Sequence, residues 1–242
     1  MKLRERLKAS LGTLDREVAW IFLVSVVVQS VYWYFGRVSF FEEHFPPPEG
    51  STIFGRIEPV LLHWATAFVL FAVVSIVVIR IVLGQRLADF GLRRGEGSLW
   101  WKGAIVTFVV FAAPIVIGGA GMADVGAEYP LSKAAASSWK VMALYALAYG
   151  VYYVGWEVHF RGFILFGLAR KLGPWPAIFA QMVPSVLIHA GKPPGETFGA
   201  ILAGIIWGWL ALETRSIVGP LLAHWALGVT NDVVMSIHFH GL

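Results

Sequence analysis

Residues 141–172 read VMALYALAYGVYYVGWEVHFRGFILFGLARKL. The run is apolar for longer than the roughly 20 residues a helix needs to cross a bilayer core. It is interrupted in its middle by Glu157 and Arg161. An ionised side chain at membrane depth costs about 2.5–3.5 kcal/mol on insertion scales, so such residues persist mainly where they do something. On a helix Glu157 and Arg161 stand four apart and share a face. They form either a self-neutralising ion pair or part of a buried site. Gly162 lets a neighbouring backbone come close. His159, two residues from Glu157, projects elsewhere and is expected to pack.

The rest of the chain agrees with a lipid solvent. Of 242 residues, 57% are hydrophobic and 14% charged, where a soluble domain carries about 25% charged; mean hydropathy is +0.70. Seven apolar stretches predict a polytopic all-α bundle: 18–35, 60–82, 102–122, 141–172, 175–189, 197–212 and 217–237. The sixth is rich in glycine (Gly199, Gly204, Gly208), which suits close helix packing. Residues 1–138 supply N-terminal helices and connecting loops, and 139–242 the core that carries the polar residues, within one integral membrane domain. The basic start (Lys2, Arg4, Arg6, Lys8) leads into a long apolar run with no small-residue cleavage site, so that run is expected to be retained. With no cysteine, disulfides, thiolate catalysis and cysteine-ligated zinc are excluded.

Lysine and arginine set the orientation. With the N-terminus inside, the inner segments hold Lys2, Arg4, Arg6, Lys8, Arg16, Arg80, Arg86, Arg93, Arg94, Lys102, Arg170, Lys171 and Arg215. The outer ones hold Arg37, Arg56, Lys133, Lys140 and Lys192. That bias predicts a cytoplasmic N-terminus and a multi-pass protein of the cell membrane. It also explains the net charge of +4 without nucleic acid as a partner.

Further polar residues lie within or between the later stretches. Two antiparallel helices joined at Gly173-Pro174 would put Glu157 and His189 both roughly 21–23 Å from the inner ends, at 1.5 Å per residue. His224 opens the last stretch, with Asn231 two turns on and Asp232 beside it. Asn231 and Asp232 either join the site or mark the outer end of that helix. Lys192 and Glu196 either pair at the surface or cap the cavity, Pro193-Pro194 having broken the helix before them. Gln29, His63 and Gln181 are read as interhelical hydrogen-bonding residues.

A desolvated carboxylate and a neutral histidine can activate water. A second histidine can donate to an oxyanion. The same three groups, Glu157, His189 and His224, could instead hold a divalent metal such as zinc with an open position. Either chemistry is hydrolysis of a peptide bond presented at the membrane. No Gly-Lys-Ser/Thr phosphate loop, Gly-x-Ser-x-Gly elbow or His-Glu-x-x-His helix is present.

The segments Trp156-Glu157-Val-His-Phe160-Arg161-Gly162, Ser185-Val-Leu-Ile-His189 and His224-Trp-Ala-Leu-Gly228, with Phe90-Gly-Leu-Arg-Arg94 before the third stretch, resemble the CPBP family of intramembrane proteases. This is the CAAX-prenyl-protease and bacteriocin-processing group. Its pattern is Glu-Glu-x-x-x-Arg, Phe-x-x-x-His and His-x-x-x-Asn. The resemblance implies a membrane endopeptidase, with or without a metal. It implies Glu157 as base or its partner, His189 as co-base, His224 as transition-state donor and Arg161 as orienting residue, in a site opening towards the cytoplasm. Three positions depart from the pattern: Trp156 replaces the first glutamate, Ser185 the aromatic residue of the second motif, and Gly228 the asparagine. Glu157 or Glu196 then takes the base role, and Asn231 or Asp232 the asparagine role. The rivals are a non-catalytic scaffold or immunity-type protein, favoured by Trp156, and a proton-coupled transporter using Glu157, Arg161 and Asp232. The expected partners are the lipid bilayer and a peptide or protein substrate.

Overall fold

The computed structural model describes residues 3–242, without the side chains of residues 7–11. Lys2 and the Lys8 side chain, both in the basic N-terminal cluster, lie outside the described residues. Among the described residues there are helices and no strand, so the chain is the all-α membrane bundle that its apolar stretches predict. In chain order the helices are α1 (Leu3–Gly12), α2 (Arg16–Phe35), α3 (Val38–His44), α4 (Ile53–Val82), α5 (Leu99–Gly119), α6 (Ala123–Glu128), α7 (139–172), α8 (Pro174–Leu187), α9 (Pro194–Thr214) and α10 (Val218–Phe239).

Among the described residues, four helices are long and apolar enough to cross a membrane: α2, α4, α5 and α9. Their outer faces show why lipid is required, since Val110 is 72% exposed and Ile81 77% exposed. The other three predicted stretches are also helical, in α7, α8 and α10. With 14 residues, α8 rises only about 21 Å, short of a roughly 30 Å hydrocarbon core. Backbone geometry enforces that shortness, because α8 starts at Pro174 after a left-handed Gly173 (φ 85°) and ends before the bend at 188–193.

Helix ends follow local chemistry. The Asp15 carboxylate caps α2 by accepting from the Glu17 and Val18 amides. The Ser138 hydroxyl accepts from the Val141 amide at the start of α7. At the basic end Lys171 pairs with Asp15 at 2.9 Å and Arg170 with Glu17 at 2.5 Å, tying α7 to α2. The Lys171 ammonium bonded to it holds the Asp15 carboxyl below its ordinary range.

Packing then fixes where α7 sits. Ile21, Phe71, Phe90, Trp156, Phe160 and Phe163 form one buried cluster. Trp64 stacks on Tyr149 at 4.6 Å in another. At Gly155 the backbones of α7 and α4 meet: a Cβ there would stand 2.9 Å from Phe68 Cα and 3.0 Å from the Ala67 carbonyl oxygen. Trp156 and Glu157 are thereby presented to the bundle interior. Between 158 and 166 the α7 backbone widens into π-helical turns, a form frequent at functional sites.

The single polar residues bridge helices as the sequence predicts. His63 Nδ1 donates to the Gly36 carbonyl at 2.7 Å, and Gln181 Nε2 to the Gly204 carbonyl at 2.8 Å. His159 is fully buried. Its Nε2 accepts from Gln29 at 3.3 Å, its Nδ1 lies 2.9 Å from Ser75 Oγ, and its ring stacks on Phe71. It is a packing residue.

Candidate functional site

One cavity of about 280 Å³ enters the bundle between α5, α7, α9 and α10. Its polar lining includes Tyr129, Tyr153, Arg161, His189, Lys192, Glu196, His224 and Asn231, and its apolar wall includes Phe111, Ile115, Val116 and Leu227. The lining residues come from the C-terminal part of α5, the middle of α7, the bend before α9 with much of that helix, and α10. The cavity is therefore at the end of the bundle opposite Arg93, Arg94, Arg170, Lys171 and Arg215. The sequence reading puts the opening at the basic end, whereas most of these lining residues lie in the other half of the bundle. α8 is short and its 188–193 bend returns the chain within the bundle, so His189 and Glu196 both fall in the far half.

His189 follows α8, and its Nδ1 lies 2.7 Å from the Ser185 carbonyl oxygen. A carbonyl can only accept, so Nδ1 carries the proton and Nε2 presents a lone pair in the neutral ring. That Nε2 stands 3.7 Å from Glu196 Oε1, in the first turn of α9. A helix start suits an anion there. The same carboxylate is held by Lys192 at 3.1 Å and by the Tyr129 hydroxyl, which donates to Oε2 at 2.7 Å. Lys192 in turn donates to the Tyr129 hydroxyl. Burial and the adjacent Glu196 carboxylate push the Tyr129 phenol well above its ordinary range, which keeps it a neutral donor.

Trp156 takes the place the sequence pattern reserves for an acid. It is buried, lines the cavity, and sets its ring edge-on to His189 at 5.4 Å and to His224 at 6.3 Å. Its neighbour Glu157 points away from the cavity and is not among its lining residues. Fully buried, Glu157 Oε1 accepts from His224 Nδ1 at 2.8 Å and pairs with Arg161 Nη1 at 3.1 Å. The Glu157–Arg161 pair, one of the two readings of their spacing, is thus formed, and a second helix joins it through His224. The Arg161 guanidinium also lies 5.9 Å from the Trp207 ring centre.

The structure therefore separates Glu157 from His189. His189 faces Glu196, while Glu157 stands behind His224. Of the supporting residues, Arg161, Glu196 and Asn231 line the cavity. Asp232 is buried outside that lining, with Oδ1 unpartnered. Tyr129, Lys192 and Tyr153 are lining residues to which sequence reasoning gave no part in the reaction. Only the position of Lys192 four residues before Glu196 signalled any of them.

A divalent metal needs at least three donors converging on one point. Among the described residues no three His, Asp or Glu side chains do so. Glu157, His189 and His224 are not a ligand set in this fold, because Glu157 does not line the cavity that the two histidines share, and its Oε1 is taken by Arg161 and by His224 Nδ1. The residues do not fit a metal.

Residues 138–230 match a family model described as Rce1-like, type II CAAX prenyl endopeptidase. No curated protein and no solved structure matches the chain.

Proposed function

We propose, for a chain that carries an Rce1-like, type II CAAX prenyl endopeptidase domain of the CPBP family at residues 138–230, that it hydrolyses a peptide bond at the membrane. The observation carrying this reading is the 3.7 Å gap between His189 Nε2 and Glu196 Oε1 inside the cavity. Both atoms are acceptors and the gap is too wide for a direct hydrogen bond. A water molecule can donate one proton to each of them, about 2.8 Å from both. Such a water is polarised by two bases and confined beside an apolar wall suited to a lipid-like or apolar peptide chain.

The reaction follows from that placement. The water oxygen attacks the carbonyl carbon while its proton passes to Glu196. The carbon–nitrogen bond then breaks, and Glu196 returns the proton to the departing amine. His189 orients the water, and the Ser185 carbonyl fixes its tautomer. His224 stands on the other side of Trp156, held by Glu157, and Arg161 balances the Glu157 charge. Glu196 thus does from α9 what the first glutamate of the family pattern would do from α7, where Trp156 stands.

With the N-terminus cytoplasmic, the cavity opens on the extracytoplasmic side. A fluorescence-quenched farnesylated CAAX-type peptide, supplied to the full chain in liposomes, tests the reading. Cleavage by the wild type should fall by about 10²–10⁴ in Glu196→Gln and in His189→Ala, as for loss of a general base. Equal cleavage by wild type and both variants would sink it. A second reading rests on Trp156 at the acid position: a binding protein of the same fold that cleaves nothing. Capture of the farnesylated peptide with no product formed by the wild type would select it.

A further inference from the structure

Neither imidazole in the cavity offers a proton to a substrate. His189 and His224 each spend the Nδ1 proton on an acceptor, the Ser185 carbonyl and the Glu157 carboxylate. In their neutral forms both then present lone pairs to the cavity, and Glu196 adds a carboxylate. Hydrolysis builds negative charge on the substrate carbonyl oxygen, which calls for a preorganised donor. In the family pattern an asparagine stands at the place of Gly228. Glycine has no side chain to donate.

A neighbouring side chain fills that place. A Cβ at Gly228 would stand 1.9 Å from the hydroxyl oxygen of Tyr153 and 2.7 Å from its Cζ. No residue but glycine leaves room for that hydroxyl. Tyr153 is on α7, one turn before Trp156 and Glu157, and lines the cavity. Its ring meets the His224 ring at 4.6 Å between centres. The Tyr149 ring lies 4.6 Å from the Tyr153 ring between centres, so both phenols belong to the same cavity wall. Of the other donors, Arg161 Nε and Nη1 and Trp156 Nε1 have no surface open to the cavity, and Lys192 and the Tyr129 hydroxyl are engaged with Glu196. Asn231 lines the cavity one turn beyond Gly228, and no contact places it on His224.

We infer that the Tyr153 hydroxyl is the catalytic donor to the substrate carbonyl oxygen, standing where a side chain at 228 would otherwise reach. This deepens the hydrolase reading and rests on it for its catalytic meaning. It implies a paired exchange in this chain: Gly228 opens the space and Tyr153 enters it.

The test uses the full chain in liposomes and two readouts. The first is steady-state cleavage of the farnesylated peptide. Tyr153→Phe should lower kcat on the order of 10²-fold, the loss seen when one oxyanion donor is removed, with KM changed by no more than about twofold. Tyr153→Ala should fail likewise, and Tyr153→Ala/Gly228→Asn should regain much of the rate, because the amide enters the emptied volume. The second is binding of two uncleavable farnesyl peptides, one with a hydrated trifluoromethyl ketone at the scissile position and one with a methylene. The wild type should prefer the ketone, and Tyr153→Phe should lose that preference while keeping its unfolding midpoint.

An unchanged kcat in Tyr153→Phe would overturn the inference. So would a loss confined to KM, or Asn231→Ala abolishing the ketone preference that Tyr153→Phe keeps. If the wild type cleaves nothing yet prefers the ketone through Tyr153, the hydrolase reading fails and the donor assignment stands. If the wild type shows no preference, the donor assignment fails whatever the turnover.

Discussion

Glu157→Gln separates the structural acid from the chemical one. Glutamine keeps the shape and can still accept from His224 Nδ1, so the change removes charge alone. Glu157 is fully buried, and its Oε1 lies 3.1 Å from Arg161 Nη1. At an effective dielectric constant of 20, charges at that distance attract by about 5 kcal/mol. Breaking a buried pair while leaving one charge behind typically costs about 3–5 kcal/mol. Against a total stability of about 5–15 kcal/mol, that is a large fraction of the fold. Reversible unfolding of the purified protein in mixed detergent micelles, followed by the fluorescence of its 11 tryptophans, reads the loss. Glu157→Gln/Arg161→Leu removes both charges and should recover most of it, since a buried pair replaced by neutral groups is often neutral in stability. Glu196→Gln alters a partly exposed carboxylate and should shift unfolding by less than about 1 kcal/mol while lowering turnover by about 10²–10⁴. A Glu157→Gln variant losing under about 1 kcal/mol, or a double variant no more stable than the single one, would refute the assignment of Glu157 to scaffolding.

Three further outcomes follow from the geometry. Since no three donors converge among the described residues, stripping divalent metal with a chelator should leave peptide cleavage unchanged; loss of activity restored by zinc would contradict the water-between-two-bases site. The Asp15–Lys171 tie has a pH signature. Asp15 is held below its ordinary 3.8, so its contribution is present above that value and fades as pH falls through the depressed one. The unfolding midpoints of wild type and Asp15→Asn should therefore differ at neutral pH and converge in acid, whereas a constant difference would mean the pair does nothing. The absence of cysteine permits clean single-site labelling. Arg94→Cys should react with an impermeant maleimide from the cytoplasmic side and Glu49→Cys from the other, and labelling of both from one side would reverse or break the proposed topology.

The local parts of this protein were legible residue by residue. Hydropathy gave the lipid solvent and the helical class, because a backbone in hydrocarbon must satisfy its own hydrogen bonds. A spacing of four gave the Glu157–Arg161 pair. The lone Gln29, His63, His159 and Gln181 were legible as packing and bridging residues, because a single polar group in a helix has few other ways to be satisfied. The length of α8 was less legible. The apolar run continues to His189, while Pro174 at one end and the 188–193 bend at the other decide where helix stops.

The site itself turned on neighbours distant in the chain. Which acid faces His189 depends on the azimuth of α7 set by the Gly155 contact with α4, and on α9 bringing Glu196 back across the bend. In sequence, Trp156 at an acid position left Glu157 or Glu196 as the base, and Gly228 at an asparagine position left Asn231 or Asp232 for that role. In the proposed reaction Glu196 and the Tyr153 hydroxyl take the two roles, one from another helix and one from another turn of α7. Composition and periodicity determined that this chain is a helical bundle in lipid with polar groups inside, since those depend on each segment's own balance of burial and hydrogen bonding. Tertiary packing alone decided which polar groups of different helices meet, because a side chain's reach of a few ångströms is set by how helices are rotated and spaced, and that is settled between segments.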